Sequence, residues 1–173
     1  AKEISNLFLS DEISSDEIIN SLEERYKKIN PIINAISKGT FASARLAGEK
    51  LSKMKKEGKK LGFLAGVPVT VKINTDQKGY ASTNGLRLNE KLIAKTDSTV
   101  VNNLERAGAL IIGRTNTPAF SMRWFTKNSI HGHTLNPHNN KITPGGSSGG
   151  AASATAAGLG CIGHGTDIAG SIR

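Results

Sequence analysis

Leu64-Ala65-Gly66-Val67-Pro68-Val69-Thr70-Val71 is a short stretch rich in β-branched residues, which is typical of a strand. A helix is predicted further along the chain, capped by Asp97 or Ser98 and ended by Gly108. Ala109-Leu110-Ile111-Ile112 follows at once and has the unbroken apolar character of a buried strand. Because so few residues separate the helix from this second strand, the strand–helix–strand order indicates a parallel crossover and an α/β layer architecture.

Two helices are predicted upstream of this unit. The first begins at Ser14, which forms a capping box with Glu17, and its apolar pattern stops before Pro31. The second runs from about Phe41 to Glu57, with Gly58 in the C-terminal capping position.

The composition excludes several classes of protein. An apolar content of 37% with 19 glycines among 173 residues is too high for a chain that is disordered throughout. A single cysteine, Cys161, excludes an internal disulfide framework and a cysteine-based zinc cluster. No apolar run approaches the roughly 20 residues of a membrane span, and residues 1–11 lack the pattern of a secretory signal. We therefore expect a cytoplasmic protein without a membrane partner.

The net charge of +9 raises the question of nucleic acid binding. Much of the excess lies in one run within the second predicted helix and just after it, where no aromatic residue is interleaved to stack on bases. A solvated helix face explains this run better than a nucleic-acid interface, so no nucleic acid partner is predicted. The run consists of Lys50, Lys53, Lys55, Lys56, Lys59 and Lys60.

The segment 115–143 is polar and interrupted by asparagine and proline, which predicts a long loop. Its histidines approximate three metal ligands, but no fourth ligand lies nearby in the sequence, so no metal site is predicted. These histidines are His131, His133 and His138. Two aromatic residues of the loop, Trp124 and Phe125, either line a pocket or anchor the loop, and the sequence leaves both interpretations open.

Two glycine-rich segments, 144–150 and 162–173, flank an alanine-rich helix predicted over 151–157. Glycine allows backbone N–H groups to crowd around a ligand. A flexible linker is disfavoured because the helix would order the turn before it, and a phosphate loop is disfavoured because its Lys-[Ser/Thr] ending is absent. The third interpretation is acyl transfer, in which a serine supplies the nucleophile and the backbone supplies oxyanion donors.

One local pattern within these segments resembles a different hydrolase motif. Gly145-Gly146-Ser147-Ser148-Gly149 matches the nucleophile-elbow pattern, with His164 and Asp167 as its imagined partners. That motif needs a buried strand directly before the serine, whereas 135–141 is polar and breaks strands. We attribute this match to glycine enrichment.

Three longer stretches carry a more specific pattern: Gly66-Val67-Pro68-Val69-Thr70-Val71-Lys72-Ile73-Asn74, Thr143-Pro144-Gly145-Gly146-Ser147-Ser148-Gly149-Gly150, and Gly165-Thr166-Asp167-Ile168-Ala169-Gly170-Ser171-Ile172-Arg173. In these stretches the chain resembles the amidase signature family, and the segments 97–101, 113–118 and 135–137 between them are similar as well. Order and spacing agree too, since Ser171 lies 24 residues after Ser147 and 99 after Lys72.

The resemblance implies a Ser–Ser–Lys triad. Ser171 would be the nucleophile that becomes acylated, and Ser147, which in this family follows a cis peptide bond, would relay the proton between Ser171 and Lys72. Lys72 would act as the base when neutral, which requires a pKa lowered by desolvation. The implied oxyanion donors are the backbone N–H groups of Ile168, Ala169, Gly170 and Ser171. The implied substrate-binding residues are Gly145, Gly146, Ser148, Thr166 and Asp167.

The activity implied by the family is hydrolysis of carboxamide C–N bonds to a carboxylic acid and ammonia or an amine, through an acyl-serine and without a cofactor. The partner would be a small-molecule amide. One alternative in the same family is the glutamine-hydrolysing A subunit of glutamyl-tRNA(Gln) amidotransferase. Another alternative is a noncatalytic fragment that keeps the fold and the motifs.

The chain departs from the family at three positions and in length. Ile73 and Ala119 stand where an acidic residue is common, and Ala169 stands where glycine is common. Family members are considerably longer, so we expect this chain to correspond to an N-terminal portion, with much of the acyl pocket formed by residues past Arg173. A sheet edge exposed at that point would favour homo-oligomers.

The expected fold is α/β, with a mixed β-sheet core flanked by helices and preceded by the N-terminal helices. We predict that residues 1–61 form an N-terminal helical segment that packs on the core. Residues 62–173 are predicted to be the N-terminal part of the amidase signature α/β domain.

Overall fold

A mixed sheet lies at the centre of the fold, and the computed structural model describes every residue from 1 to 173. The strands are β1 (Ile36–Gly39), β2 (Pro68–Lys72), β3 (Leu110–Thr115), β4 (Lys127–Asn128), β5 (Gly132–His133) and β6 (Ile162–Gly163). The helices are α1 (Lys2–Leu9), α2 (Ser15–Ile33), α3 (Phe41–Lys56), α4 (Thr99–Arg106) and α5 (Gly149–Ala156). The main sheet has the order β1-β3-β2-β6, with β2 parallel to β3 and β6 and with β1 antiparallel to β3. The predicted mixed sheet flanked by helices is confirmed.

The β2–α4–β3 unit confirms the predicted crossover. The hydroxyl of Ser98 accepts from Val101 N–H at 3.4 Å at the start of α4, and Gly108 adopts a φ of +88° after its end. Pro68 has no N–H group, which restricts it to a strand entrance or an edge, and it lies at the entrance of the central strand β2. β3 continues to Thr115, beyond the predicted end, because its polar residues pair with both β1 and β2.

The first predicted helix, α2, begins as expected but ends later. Ser14 Oγ accepts from Glu17 N–H at 3.2 Å, and Ser14 N–H donates to the Glu17 carboxylate at 2.8 Å, which confirms the capping box. The helix continues through Pro31 and stops at Asn34, which takes a left-handed φ of 49°. The predicted end before Pro31 is wrong because a proline in the last turn disturbs few helical hydrogen bonds.

The second predicted helix, α3, is confirmed, and five of the six lysines of the basic run are exposed. The exception is Lys55, whose Nζ donates to the Phe8 carbonyl at 2.5 Å and lies 4.8 Å from the centroid of the Phe8 ring. Lys55 thereby fixes α1, a helix that the sequence does not predict because its N-cap residue, Ala1, has no side chain that can cap it. None of the helices has the length and apolar composition that a bilayer crossing requires.

The two faces of the main sheet pack against different helices, and Lys72 points to the face opposite α4. Helices α1, α2 and α3 cover the face that presents Leu110 and Ile112. On β2, Val71 packs in one cluster with Val101 of α4. Because side chains alternate along a strand, Lys72 points away from that cluster, towards the N-terminal end of α5.

Residues 1–61 contribute a strand as well as helices. β1 forms the antiparallel edge of the main sheet, and the sequence does not predict it because four residues carry too weak an alternation. Buried Asn30 fixes its start: Oδ1 accepts from Ala35 N–H at 3.1 Å and Ile36 N–H at 2.8 Å, and Nδ2 donates to the Ile36 carbonyl at 2.9 Å. The division at residue 61 stays a prediction.

Close backbone packing positions the first turn of α5, the predicted alanine-rich helix. A Cβ atom on Gly150 would lie 2.4 Å from Asn116 O and 2.5 Å from Asn116 N. A Cβ atom on Gly146, just before the helix, would lie 2.7 Å from Arg123 O and Phe125 N. Only glycine permits both approaches, so these two residues set the distance between α5 and the loops beneath it.

Gly150→Ala is expected to lower the free energy of unfolding by about 1–3 kcal/mol, because the added methyl group meets rigid backbone. This is the net loss that remains after the roughly 1 kcal/mol by which alanine favours a helix over glycine. Chemical denaturation measures the change. Ala152→Ser, at an exposed position of the same helix, is the matched control and should change stability by less than about 0.5 kcal/mol. A Gly150→Ala variant as stable as the wild type would contradict the close packing.

Candidate active site

Lys72 is fully buried at the end of β2. Its Nζ lies 2.6 Å from Ser147 Oγ, 3.0 Å from Ser148 Oγ and 2.9 Å from Thr166 Oγ1. An ammonium group has three hydrogens, and three hydroxyl oxygens surround this one. The side chain is therefore hydrogen-bonded entirely inside the protein, which excludes the role of a surface lysine.

Burial lowers the pKa of Lys72 from 10.5 to about 8, and the negative charge of Asp167 opposes part of that change. A pKa near 8 leaves about one such lysine in ten neutral at pH 7. The direction agrees with the expectation that the surroundings of this lysine make it available as a base.

The two serines before α5 contact Lys72 in different ways. Ser147 is buried, follows a cis peptide bond from Gly146, and has a hydroxyl bonded to Lys72 alone. The hydroxyl of Ser148 donates to the Thr166 carbonyl at 3.1 Å and accepts from Thr166 N–H at 3.2 Å. Because its one proton is committed, Ser148 can only accept from Lys72. Ser147 is free to give its proton to a neutral lysine.

Asp167 organises the loop that carries Ser171. Its carboxylate accepts from Gly170 N–H at 2.6 Å, Ser171 N–H at 3.1 Å and Ile172 N–H at 3.3 Å, and it pairs with Arg173 Nε at 2.9 Å. The hydrogen bond from Arg173, together with those from the Gly170 and Ile172 backbone, holds the pKa of Asp167 well below its usual range. One ionised carboxylate thus ties the loop together.

The structure forms one of the two hydrogen bonds of the predicted triad. Lys72 and Ser147 are hydrogen-bonded, but the hydroxyl of Ser171 makes no hydrogen bond to Ser147 or to any other residue. The main chain of Ser171 is nevertheless held nearby, since its carbonyl accepts from Ser148 N–H at 3.2 Å.

The four predicted oxyanion donors fall into two pairs. The N–H groups of Gly170 and Ser171 are bound to the Asp167 carboxylate. The N–H groups of Ile168 and Ala169 have no partner, and both residues are exposed, Ile168 to 87%. The loop therefore presents two unoccupied donors to its surroundings.

A cavity of about 730 Å³ lies beside Ser171 and the first turns of α5. The predicted site residues that line it are Gly145, Gly146, Ser148, Gly170 and Ser171. The predicted site residues that do not line it are Lys72, Ser147, Thr166, Asp167, Ile168 and Ala169. Of the two aromatic residues left open by the sequence, Trp124 lines this cavity and Phe125 does not.

Polar residues that follow β2 and β3 support this site, and the sequence analysis does not assign them a role. The buried Thr117 donates its hydroxyl to the Ser147 carbonyl at 3.1 Å. Asn74 Nδ2 donates to Thr166 Oγ1 at 3.3 Å and to Ser121 Oγ at 3.2 Å. The predicted topology could have identified them, because residues at the carboxyl ends of adjacent parallel strands meet at one edge of a sheet.

Arg114 on β3 fixes the turn directly after Lys72. It is fully buried, and its Nη2 donates to the carbonyls of Ile73 at 3.2 Å and Thr75 at 2.7 Å. Burial lowers the pKa of Arg114 to about 10, opposed by the charge of Asp76, so the guanidinium stays protonated at neutral pH.

The histidines lie in surroundings unlike those of a metal site or of a nucleophile elbow. His131 Nε2 lies 2.9 Å from Thr83 Oγ1, and burial lowers the pKa of His131. No group of three or more His, Cys, Asp or Glu side chains is arranged to hold a metal ion. His164 makes no hydrogen bond to Ser147 or Asp167, so the nucleophile-elbow interpretation has no relay here. Burial and the nearby charge of Lys72 lower the pKa of His164.

Comparisons with known proteins agree on one family. The model of the Amidase family matches residues 17–173. An indoleacetamide hydrolase from Bradyrhizobium diazoefficiens is 48% identical over 161 residues, which are 93% of this chain and 31% of that protein. The A subunit of the glutamyl-tRNA(Gln) amidotransferase from Fusobacterium nucleatum is 42% identical over 173 residues, 100% of this chain and 36% of that protein. A solved bacterial aryl acylamidase of the amidase signature family superposes with a TM-score of 0.94 at 34% identity, over 99% of this chain and 36% of its own. The chain thus spans about a third of the length of these relatives.

The buried Lys72 predicts a specific pH dependence of stability. Below pH 8 both the folded and the unfolded protein carry this charge, and the folded state bears the full cost of burying it. Between pH 8 and 10.5 the folded protein loses the proton first, so its free energy of unfolding should rise relative to Lys72→Met. The expected rise is ~3 kcal/mol.

Chemical denaturation of the wild type and Lys72→Met at several pH values between 7 and 11 measures this rise. Lys60→Met, at an exposed lysine, is the control and should show no such dependence. A difference between the wild type and Lys72→Met that is independent of pH would contradict the lowered pKa.

Proposed function

Because this chain belongs to the amidase signature family, we propose that it carries the catalytic residues of an enzyme that hydrolyses carboxamides to a carboxylic acid and ammonia or an amine. The observation that carries the proposal is the buried Lys72, with a pKa lowered to about 8 and with Nζ 2.6 Å from Ser147 Oγ. Burying a lysine lowers the stability of the fold. A lysine with this pKa can accept and return a proton near neutral pH, as a general base must.

In the proposed first step, Ser171 Oγ attacks the carbonyl carbon of the amide. Its proton passes to Ser147, and the proton of Ser147 passes to neutral Lys72, which becomes an ammonium. A C–O bond forms, and the carbonyl oxygen becomes the oxyanion of a tetrahedral intermediate.

In the second step the intermediate expels the amine. The C–N bond breaks, and Lys72 returns its proton through Ser147 to the leaving nitrogen. Acyl-Ser171 is left. A water molecule then attacks the acyl carbon and gives one proton to the relay of Ser147 and Lys72. The oxygen of the water stays in the carboxylic acid, and the relay returns the proton to Ser171 as the ester bond breaks.

This relay requires Ser171 and Ser147 to come within hydrogen-bond distance when the amide is bound. Hydrogen bonds of catalytic groups often tighten only in the substrate complex. The bond from Ser148 N–H to the Ser171 carbonyl at 3.2 Å supports the proposal because it already holds the two segments side by side.

We assign the oxyanion to the backbone N–H groups of residues 168–171. Gly170 and Ser171 already bind a carboxylate oxygen of Asp167, so the loop suits a negatively charged oxygen. Ile168 and Ala169 provide donors without a partner.

The cavity favours an amide that bears an apolar group. Its walls include alanines of α5 and the side chain of Trp124, and Arg173 is its one charged residue. The names of two relatives, an indoleacetamide hydrolase and an aryl acylamidase, agree with a small-molecule amide that carries an aromatic ring.

A second candidate function is glutamine hydrolysis within an amidotransferase. It is favoured by the similarity of the whole chain to the amidotransferase protein from Fusobacterium nucleatum. Ammonia release from glutamine, compared with release from an arylacetamide, separates this candidate from the first.

Mass spectrometry of the purified protein after treatment with a fluorophosphonate tests the nucleophile. We expect one adduct, on Ser171, and we expect it to be absent from Ser171→Ala and Lys72→Ala. The same two variants should lose amide hydrolysis by at least about a thousandfold, because the triad acts as a unit. Ser52→Ala, on α3, is the matched control and should keep both properties. An adduct on another serine, or activity retained by Ser171→Ala, would contradict the proposed mechanism.

A further inference from the structure

A second cavity, of about 480 Å³, lies outside the amide site and is bordered by three cationic side chains and no acidic one. We propose that this cleft binds the carboxylate or phosphate group of a small-molecule anion. The residues that border it are Gly85, Leu86, Arg87, Ala119, Arg123, Phe125, Lys127, Asn128 and Ser129. We call it the basic cleft.

The three cations of the basic cleft have no carboxylate partner. None of the ion pairs in the structure includes Arg87, Arg123 or Lys127. Like charges gathered around one concave surface repel each other and concentrate the electrostatic potential inside it. The lysine run of α3 differs in that it lies along an exposed helix. An anion bound in the cleft would contact these cations at the same time and so relieve the repulsion between them.

Two of the three cations are already oriented. Arg87 Nη2 donates to the Ser129 carbonyl at 3.0 Å, which leaves the other N–H groups of the guanidinium available. Arg123 lies over the ring of Phe125, 5.7 Å from its centroid. A guanidinium held in this way presents parallel N–H donors that match a carboxylate or a phosphate.

Gly85 and Ala119, which border the basic cleft, belong to two backbone segments that are held against each other. Asn84 and Gly85 have φ values of 46° and 70°, and Phe120 and Ser121, which face them, have values of 58° and 56°. Phe120 N–H donates to the Asn84 carbonyl at 3.0 Å, and Ser121 Oγ donates to Asn84 Oδ1 at 2.7 Å. A Cβ atom on Gly85 would lie 2.9 Å from Pro118 O, so the two segments touch. Left-handed backbone at non-glycine residues persists only where its surroundings hold it.

The basic cleft is separate from the amide cavity. The segment 123–125 lies between them: Arg123 and Phe125 border the cleft, whereas Trp124 borders the amide cavity. The proposed anion is therefore not the oxyanion of the hydrolytic reaction, and its binding does not depend on the triad.

Isothermal titration calorimetry of the purified protein with inorganic phosphate and with malonate tests the proposal. We expect a Kd of about 1 mM or tighter for at least one anion at low salt. The anion with the lower Kd shows whether the cleft binds phosphate or carboxylate ligands. The double variant Arg87→Gln/Lys127→Gln should weaken binding at least fivefold, and Arg123→Gln should weaken it on its own.

Lys59→Gln/Lys60→Gln removes the same charge from the exposed run and is the matched control, which should bind as the wild type does. Melting temperatures equal to that of the control confirm that the cleft variants are folded. No binding of either anion, or equal weakening in the control, would overturn the proposal. Binding of duplex DNA more tightly than of both small anions would overturn the assignment to a small molecule.

Discussion

The burial of the Lys72 ammonium group among three hydroxyl oxygens is the interaction on which the rest of the site depends. Removing an ammonium group from water is costly, and three hydrogen bonds offset only part of that cost. The remainder lowers the pKa to about 8. The cost is useful only if the lysine works as a proton acceptor, which links the stability of the fold directly to the proposed chemistry.

Two features of the fold make this burial possible. Alternation along β2 turns Val71 to the α4 side and Lys72 to the other, so one strand supplies both a core residue and the proposed catalytic base. Glycine at the start of α5 then lets the helix approach the backbone of Asn116, which brings Ser147 and Ser148 to the lysine. Two further side chains hold the same arrangement: Thr117 donates to the Ser147 carbonyl, and Arg114 donates to carbonyls of the turn after β2.

Much of this could be predicted from the sequence, and the successes and failures have physical reasons. The β2–α4–β3 unit and the Ser14 capping box depend on local patterns, and both are confirmed. α1 depends on a distant contact from Lys55, and β1 depends on its pairing with β3, and no local pattern records either of these. In the site, resemblance to a family identified Lys72, Ser147 and Ser171 as candidates. It did not reveal that the Asp167 carboxylate occupies two of the predicted oxyanion donors, because that depends on the folding of a glycine-rich loop.

The titration of Lys72 by nuclear magnetic resonance tests the central claim most directly. Lysine labelled at Cε would be followed from pH 6 to 11, with the Lys72 signal assigned by its absence from Lys72→Arg. A titration midpoint near 8 is the result that this account predicts for Lys72. A midpoint for Lys72 at the ordinary lysine value of 10.5 would contradict it, because a lysine of ordinary basicity could not serve Ser147 as a base near neutral pH.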